Sequence, residues 1–248
     1  MRKGMRNTMR WNVVLLVMAL SGILVGCETT NQPPSEQSII AGMEKVNNYD
    51  GLIALYKSKL VGGIEDDNAV EQLAYVYFEK GDVESSRFYT QYLIGKGLKN
   101  KSLLQLKGQI EAENGHLEEA IDAYNQSISL GNTSGKIRVL LGVAYSKSDQ
   151  FSKAKAQFNL ARLRGYDDIV IKNNLAVVYL AEQRFDLVIE TLAPVLKEHP
   201  TNQTVKANLA IALLKSGKSE QAKALLRDQY NAGELLTITQ QFAYVEAE

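Results

Sequence analysis

The stretch that decides the fold reads GKIRVLLGVAYSKSDQFSKAKAQFNLARLRGYDD, residues 135–168 of the 248-residue chain. It is one unit of a pattern in which glycines recur every 34 residues, with a single gap occupied by His199 and Pro200. The glycines in this register are Gly63, Gly97, Gly131, Gly165 and Gly233. A glycine just beyond a helix end readily takes the left-handed conformation that closes the helix. The spacing therefore predicts a tandem array of helix pairs, each closed by such a residue.

Other positions of the unit repeat with the same period. Counting from Asp67 gives five repeats: 67–100, 101–134, 135–168, 169–202 and 203–236. Position 8, where paired helices approach most closely, reads Ala74, Gly108, Gly142, Ala176 and Ala210. Position 11 reads Tyr77, Glu111, Tyr145, Tyr179 and Leu213, and position 24 reads Thr90, Tyr124, Phe158, Leu192 and Leu226. These positions resemble the signature of the tetratricopeptide repeat family.

That resemblance implies an all-α fold, a right-handed α-solenoid of about five to six helix-turn-helix repeats that binds proteins. Repeat 2 departs from the pattern at position 7, where Lys107 replaces the leucine of the other four repeats, and at position 11, where Glu111 stands. We therefore expect its first helix to pack least well. Residues 36–66 are interpreted as a degenerate N-terminal helix pair of the same type; two capping helices without repeat geometry are the alternative. Apolar residues within 237–248 predict a C-terminal capping helix.

The N-terminus predicts export. Residues 1–26 combine four basic residues with an apolar run that is short for a bilayer span, as in a secretory signal peptide. The segment ends in Leu24-Val25-Gly26-Cys27, which resembles the lipobox of bacterial lipoproteins, and Cys27 is the only cysteine. The resemblance implies lipidation of Cys27, a short tether at 27–35, and membrane attachment through the lipid. Glu28, rather than Asp, favours the outer membrane with the body facing the periplasm; the alternative for Cys27 is an ordinary buried cysteine.

Composition and motifs argue against catalysis. Without residues 1–26 the chain has 24 basic (28 minus 4) and 28 acidic residues, a net charge of −4, which does not predict nucleic-acid binding. His116 and His199 lie in predicted turns of different repeats, with no cysteine or carboxylate cluster at metal-ligand spacing. We therefore predict no enzyme activity, no cofactor and no metal site, and a hydrolase on this repeat frame is disfavoured.

A binding function would use the inner groove, which the first helix of each repeat lines in this family. Apolar side chains there would contact a peptide, and amides would bind its backbone. The candidate groove residues are Tyr75, Phe78, Val143, Asn173, Asn174, Val177, Leu180, Asn208, Ile211 and Leu214. The alternative is that these side chains pack against neighbouring repeats or under the C-terminal helix.

A closer resemblance rests on the segments 172–176, Pro194 and 205–210, the first reading Lys-Asn-Asn-Leu-Ala and the last Val-Lys-Ala-Asn-Leu-Ala. They are similar to the tight-adherence (Tad) protein D family, lipoproteins of the Flp pilus system. The resemblance implies a pilotin or scaffold role with the outer-membrane secretin, or another pilus assembly component, as the protein partner. The alternatives are a pilotin of a type IV pilus or type II secretion system, or an adaptor for peptidoglycan enzymes.

Overall fold

The computed structural model describes residues 35–61 and 66–243, and within these ranges every regular element is an α-helix. The all-α prediction is therefore confirmed. Cys27, the predicted signal peptide, Gly63 and residues 244–248 lie outside the described residues. The helices are α1 (Glu36–Lys45), α2 (Tyr49–Ser58), α3 (Asp67–Lys80), α4 (Val83–Gly95), α5 (Lys101–Glu113), α6 (Leu117–Ser129), α7 (Gly135–Lys147), α8 (Phe151–Leu163), α9 (Asp168–Ala181), α10 (Phe185–Glu198), α11 (Gln203–Lys215), α12 (Ser219–Leu226) and α13 (Ala232–Ala243).

Two series of residues with positive φ, in the left-handed conformation, form the turns between helices. Gly97, Gly131 and Gly165 have φ between 73° and 89° and follow the second helices α4, α6 and α8, as the sequence predicted. A further row, not evident from the glycines alone, follows each first helix at the same 34-residue spacing. Its members, with φ from 53° to 86°, are Asn47, Gly81, Gly115, Asp149, Gln183 and Gly217. Asn47 shows that the N-terminal pair α1–α2 shares the turn geometry of the five repeats.

Short polar side chains start the first helices. Each of α1, α3, α5, α7, α9 and α11 begins at a Ser, Asp or Asn whose side-chain oxygen accepts a hydrogen bond from a backbone N–H three residues later. Such a cap satisfies a donor that the helix itself leaves unpaired, worth about 1 kcal/mol. The capping residues are Ser35, Asp66, Asn100, Ser134, Asp167 and Asn202.

Close helix pairing holds each repeat together. A Cβ added to Gly108 would lie 2.4 Å from Cε1 of Tyr124, and one added to Gly142 would lie 2.6 Å from Cε1 of Phe158. Both distances are far below van der Waals contact, so only glycine fits beneath these aromatic rings. In repeats 2 and 3 the glycine at position 8 and the aromatic residue at position 24 thus form one contact between the paired helices.

The contacts between repeats are asymmetric. From α3 to α13, each first helix contacts the next first helix, and α13 continues this row beyond α11. Within residues 35–61 and 66–243, the backbone of no second helix comes within 8 Å, between Cα atoms, of the next second helix. The first helices therefore form the inner row of a solenoid and the second helices its outer row. At the N-terminal end, α1 contacts α2, makes no backbone contact with α3, and buries no residue fully.

Three expectations about individual helices change. Helix α5, expected to pack least well, buries five residues, as many as α7, because Leu106 and Ile110 beside the departing positions are almost fully enclosed. Its contact with the preceding helix α4 is nevertheless less extensive than the equivalent contacts of α3, α7, α9 and α11. Gly233 does not close a helix, because it lies in the first turn of α13. That helix begins at Ala232, and not at 237, since Asn231 and Glu234 cap each other's backbone N–H groups at 3.0 and 2.8 Å.

Replacing Phe158 by alanine is expected to lower the free energy of unfolding by about 3–5 kcal/mol, because the ring is buried against Gly142 and its loss leaves a cavity. Urea unfolding followed by far-UV circular dichroism measures the change. Leu163, in the same helix and 81% exposed, is the matched control. Its replacement by alanine should change stability by no more than about 0.5 kcal/mol. Equal midpoints for the two variants would contradict the repeat register.

Candidate peptide-binding face

The ten predicted groove residues all lie on first helices, but the structure does not bring them into one surface. Tyr75 and Phe78 are on α3, Val143 is on α7, and the other seven are on α9 and α11. Helix α5 lies between the first two groups and contributes none of the ten. We define the C-terminal inner face as the exposed surface of α9 and α11, and we treat the α3 residues separately.

An asparagine pair spans the C-terminal inner face. The Asn208 Nδ2 donates a hydrogen bond to the Asn173 Oδ1 at 2.8 Å, which joins α11 to α9. Both side chains are half-buried, and across the described part of the chain the remaining amide atoms of the pair make no hydrogen bond. They are therefore free to bind a peptide backbone. Asn174 differs, because its Nδ2 donates to the Val170 carbonyl of its own helix at 2.9 Å.

Apolar side chains beside this pair differ in access to solvent. Val177 is 41% exposed, one helical turn beyond Asn173, and Ile211 is half-buried at the equivalent position of the next repeat. Val143 is half-buried and packs against the core of repeats 3 and 4. Val177 and Ile211 are thus the apolar groups that a ligand on this face would contact first.

Leu214 is not a groove residue. It is 7% exposed and belongs to the core cluster of the last two repeats, against which Leu180, Ile238 and Phe242 also pack. Helix α13 contacts α11 and covers the last repeat, so Leu214 becomes enclosed in the way that the alternative interpretation expected. Leu180 is partly buried against the same cluster and lies at the edge of the C-terminal inner face.

The α3 residues form a different environment. The Tyr75 hydroxyl donates to the Ser102 carbonyl at 2.9 Å, and burial, followed by the nearby Glu71 and Glu79 carboxylates, raises the pKa of Tyr75 to about 12. Tyr75 lines a cavity of about 320 Å³ together with Tyr49. Phe78 packs against the cluster that contains Leu106 and Ile110. The ring of Tyr49 and the Glu79 carboxylate at this cavity were not predicted, although Glu79 follows Tyr75 by one helical turn.

No cluster of three or more His, Asp or Glu side chains with metal-binding geometry occurs in residues 35–61 and 66–243. His116 instead pairs through its Nδ1 with the Glu111 carboxylate at 2.9 Å. None of the helices in these ranges is long and apolar enough to cross a membrane. The chemistry that the described surfaces offer is hydrogen bonding by amides, apolar contact and ion pairing, which are the components of protein recognition.

Comparison with protein families identifies tetratricopeptide repeats in two segments of the chain, residues 102–130 and 179–229. These segments fall in repeat 2 and across repeats 4 and 5. No curated protein sequence matches the chain significantly. Proteins built from this repeat generally act as scaffolds that bind other proteins.

Solved structures with the same architecture include a thermophilic tetratricopeptide protein of Thermus thermophilus, with 20% identity, a TM-score of 0.55, and coverage of 71% of this chain and 96% of that one. PilW, a type IV pilus biogenesis factor, has 17% identity, a TM-score of 0.60, and coverage of 72% and 84%. PilF of Pseudomonas aeruginosa has 14% identity, a TM-score of 0.55, and coverage of 72% and 83%. At these identities the similarity concerns the fold alone, and it supports the tetratricopeptide solenoid.

A charge at the exposed Val177 of α9 should affect stability far less than a charge at the buried Leu214 of α11. Val177→Glu places a carboxylate in solvent and is expected to leave the melting temperature within about 2 °C of wild type. Leu214→Glu puts an unpaired charge in the core, and we expect a loss of at least about 3 kcal/mol. Thermal unfolding followed by circular dichroism compares them. A large destabilisation by Val177→Glu would show that the C-terminal inner face is core and not a binding surface.

Proposed function

We propose that the chain is a lipoprotein scaffold, anchored to the outer membrane through Cys27, whose C-terminal inner face binds a segment of a pilus assembly component in the periplasm. The observation that carries the binding part is the exposed Val177 beside the Asn173–Asn208 pair. The arrangement offers apolar contact together with free amide groups on two adjacent helices. These are the groups that hold an extended or helical peptide in a groove.

The partner that we propose is the secretin of a Tad pilus system, or another component of that machinery. The similarity of the Lys172–Ala176 and 205–210 segments to the tight-adherence protein D family supports this choice. Asn173 and Asn208, which form the inter-repeat hydrogen bond, belong to those same segments. A second candidate is a role with a type IV pilus, which the shared architecture with PilW favours.

The proposed anchoring predicts that lipid labelling is lost when Cys27 is replaced. Replacing Cys27 by serine removes the only thiol that could accept a lipid, so incorporation of radioactive palmitate should disappear. The protein should then remain as an unprocessed precursor or leave the membrane fraction. Cells expressing wild-type and Cys27→Ser chains at matched levels provide the comparison. Equal palmitate labelling of the two proteins would refute lipid attachment at Cys27.

The partner proposal is tested by site-specific crosslinking in membranes. A photoreactive phenylalanine analogue at 177 should trap a single partner, whereas the same analogue at 163, exposed on the second helix α8, serves as control. Mass spectrometry of the trapped band distinguishes the candidates: a Tad secretin supports the first, and a type IV pilus secretin the second. A band of the same identity and yield from both sites would contradict binding at the C-terminal inner face.

A further inference from the structure

The inner row of first helices is interrupted at its N-terminal end. From α3 onward each first helix contacts the next, but no Cα atom of α1 lies within 8 Å of a Cα atom of α3. The side chains that line a cavity of about 320 Å³ come from these two first helices, from the turn after α1 and from the start of α2. This N-terminal cavity therefore lies where the inner row lacks a direct contact between helices.

The charges that line the N-terminal cavity have one sign. Glu44 of α1 and Glu79 of α3 are both exposed, so a ligand can reach them. Neither carboxylate makes an ion pair or a hydrogen bond with a residue of the described ranges. The lysines that follow them in the chain, Lys45 and Lys80, do not line the cavity, and Lys80 pairs with Asp50 at 2.7 Å. The cavity thus presents negative charge without a compensating cation in its lining.

Two half-buried tyrosine rings form part of the wall. The Tyr75 hydroxyl donates a hydrogen bond to the Ser102 carbonyl at 2.9 Å. The Tyr49 hydroxyl donates to the Asn47 Oδ1 at 3.3 Å. Both hydroxyl protons are already engaged, so the aromatic rings are what these residues offer to a ligand in the cavity. The face of such a ring is negative and attracts cations.

The carboxylate of α1 and the ring of α3 differ from the residues at the same positions of the later repeats. The residues that follow Glu44 at 34-residue steps are all uncharged: Phe78, Ala112, Ser146, Leu180 and Leu214. Those that follow Tyr75 are not aromatic: Gln109, Val143, Val177 and Ile211. At these two positions, the combination of negative charge with an aromatic ring is therefore specific to the N-terminal end of the inner row.

These features favour a cation carried on an apolar stem. An anion would be repelled by both glutamates, and an apolar group would remove water from them without compensation. Residues 35–61 and 66–243 contain no group of three or more His, Cys, Asp or Glu side chains that could hold a metal ion. An Arg or Lys side chain places its charge near the carboxylates and its methylene groups against the rings. The volume of about 320 Å³ is at the lower end for ligand pockets, which suits a single side chain.

We propose that the N-terminal cavity binds the cationic side chain of an Arg or Lys residue in a bound protein segment, with Glu44 and Glu79 as counter-charges and Tyr49 and Tyr75 as aromatic walls. The proposal rests on the proposed function in one respect, which is that the occupant belongs to a protein partner. The cavity is separate from the C-terminal inner face, because its lining comes from α1, α2, α3 and the turn between the first two.

Binding of a defined peptide to the detergent-solubilised full chain tests the proposal. The probe is acetyl-Ala-Leu-Arg-Leu-Ala-amide, and the same peptide with citrulline in place of Arg is its neutral counterpart of nearly the same shape. The methyl resonances of Leu52 and Val76, which line the cavity, report binding there. We expect saturable shifts with the Arg peptide and with its Lys analogue, and about tenfold weaker binding of the citrulline peptide.

Two outcomes of this titration would overturn the inference. Equal affinities of the Arg and citrulline peptides would show that the cavity does not select a cation. Binding of n-butylguanidinium without binding of either cationic peptide would assign the cavity to small cations and not to a protein segment.

Removing the two carboxylates tests their role as counter-charges. Glu44→Gln with Glu79→Gln should weaken the Arg peptide about tenfold, to the level of the citrulline peptide. The matched control is Glu113→Gln with Glu198→Gln, which removes the same charge from exposed positions outside the cavity and should leave the affinity unchanged. Glu113 is the equivalent of Glu79 in repeat 2. Wild-type affinity in the first double variant, or an equal loss in both, would contradict the assignment.

The aromatic wall is tested at Tyr49. Tyr49→Phe retains the ring and should leave the affinity for the Arg peptide unchanged. Tyr49→Leu should weaken the Arg peptide about threefold and the citrulline peptide much less, because only the charged group is attracted by the ring. An equal loss for both peptides would refute the role of the ring in cation binding. Since the probe is a defined peptide, crosslinking at residue 177 can fail while these results stand, and the reverse also holds.

Discussion

The fit between a residue without a side chain and an aromatic ring fixes the geometry on which the rest of the solenoid depends. Gly142 under Phe158 and Gly108 under Tyr124 bring the paired helices so close that a single added carbon would collide with the ring. In these two repeats the aromatic residue also contributes to the contact with the next repeat. One side chain therefore takes part both in the pairing of the two helices and in the packing of successive repeats, which links the geometry of a repeat to the position of its neighbour.

The regular packing between repeats is interrupted at one contact. At four of the five contacts, position 24 of one repeat packs with positions 7 and 11 of the next as an apolar triad, and the fifth contains Thr90, Lys107 and Glu111 around a cavity. Helix α5 nevertheless stays well packed, since Leu103 and Leu106 are fully enclosed beside the polar positions. The fold can thus accommodate a polar pocket within a repeat interface, provided that adjacent apolar residues maintain the contact between the helices.

The sequence predicted the periodic features of the fold well and the local ones less well. The glycine spacing and the small residues at position 8 depend on sterics that act in every repeat, so they identified the helix pairs correctly. The second row of left-handed turns was missed because Asn47, Asp149 and Gln183 occupy half of it, and none of these residues alone signals a positive φ. Leu180 and Leu214 occupy equivalent positions, yet only Leu214 is fully buried. That difference depends on where α13 packs, and the 34-residue period does not predict this position.

The helix contacts between repeats differ between the inner and the outer row. Neighbouring first helices approach each other closely along the backbone, whereas neighbouring second helices do not, and each second helix of the repeats packs instead against the first helix that follows it. At most of these contacts an apolar residue at position 24 is buried with positions 7 and 11 of the next repeat, so the outer row cannot spread without exposing apolar surface. The curvature of the solenoid therefore depends on the volume of the side chains at these three positions.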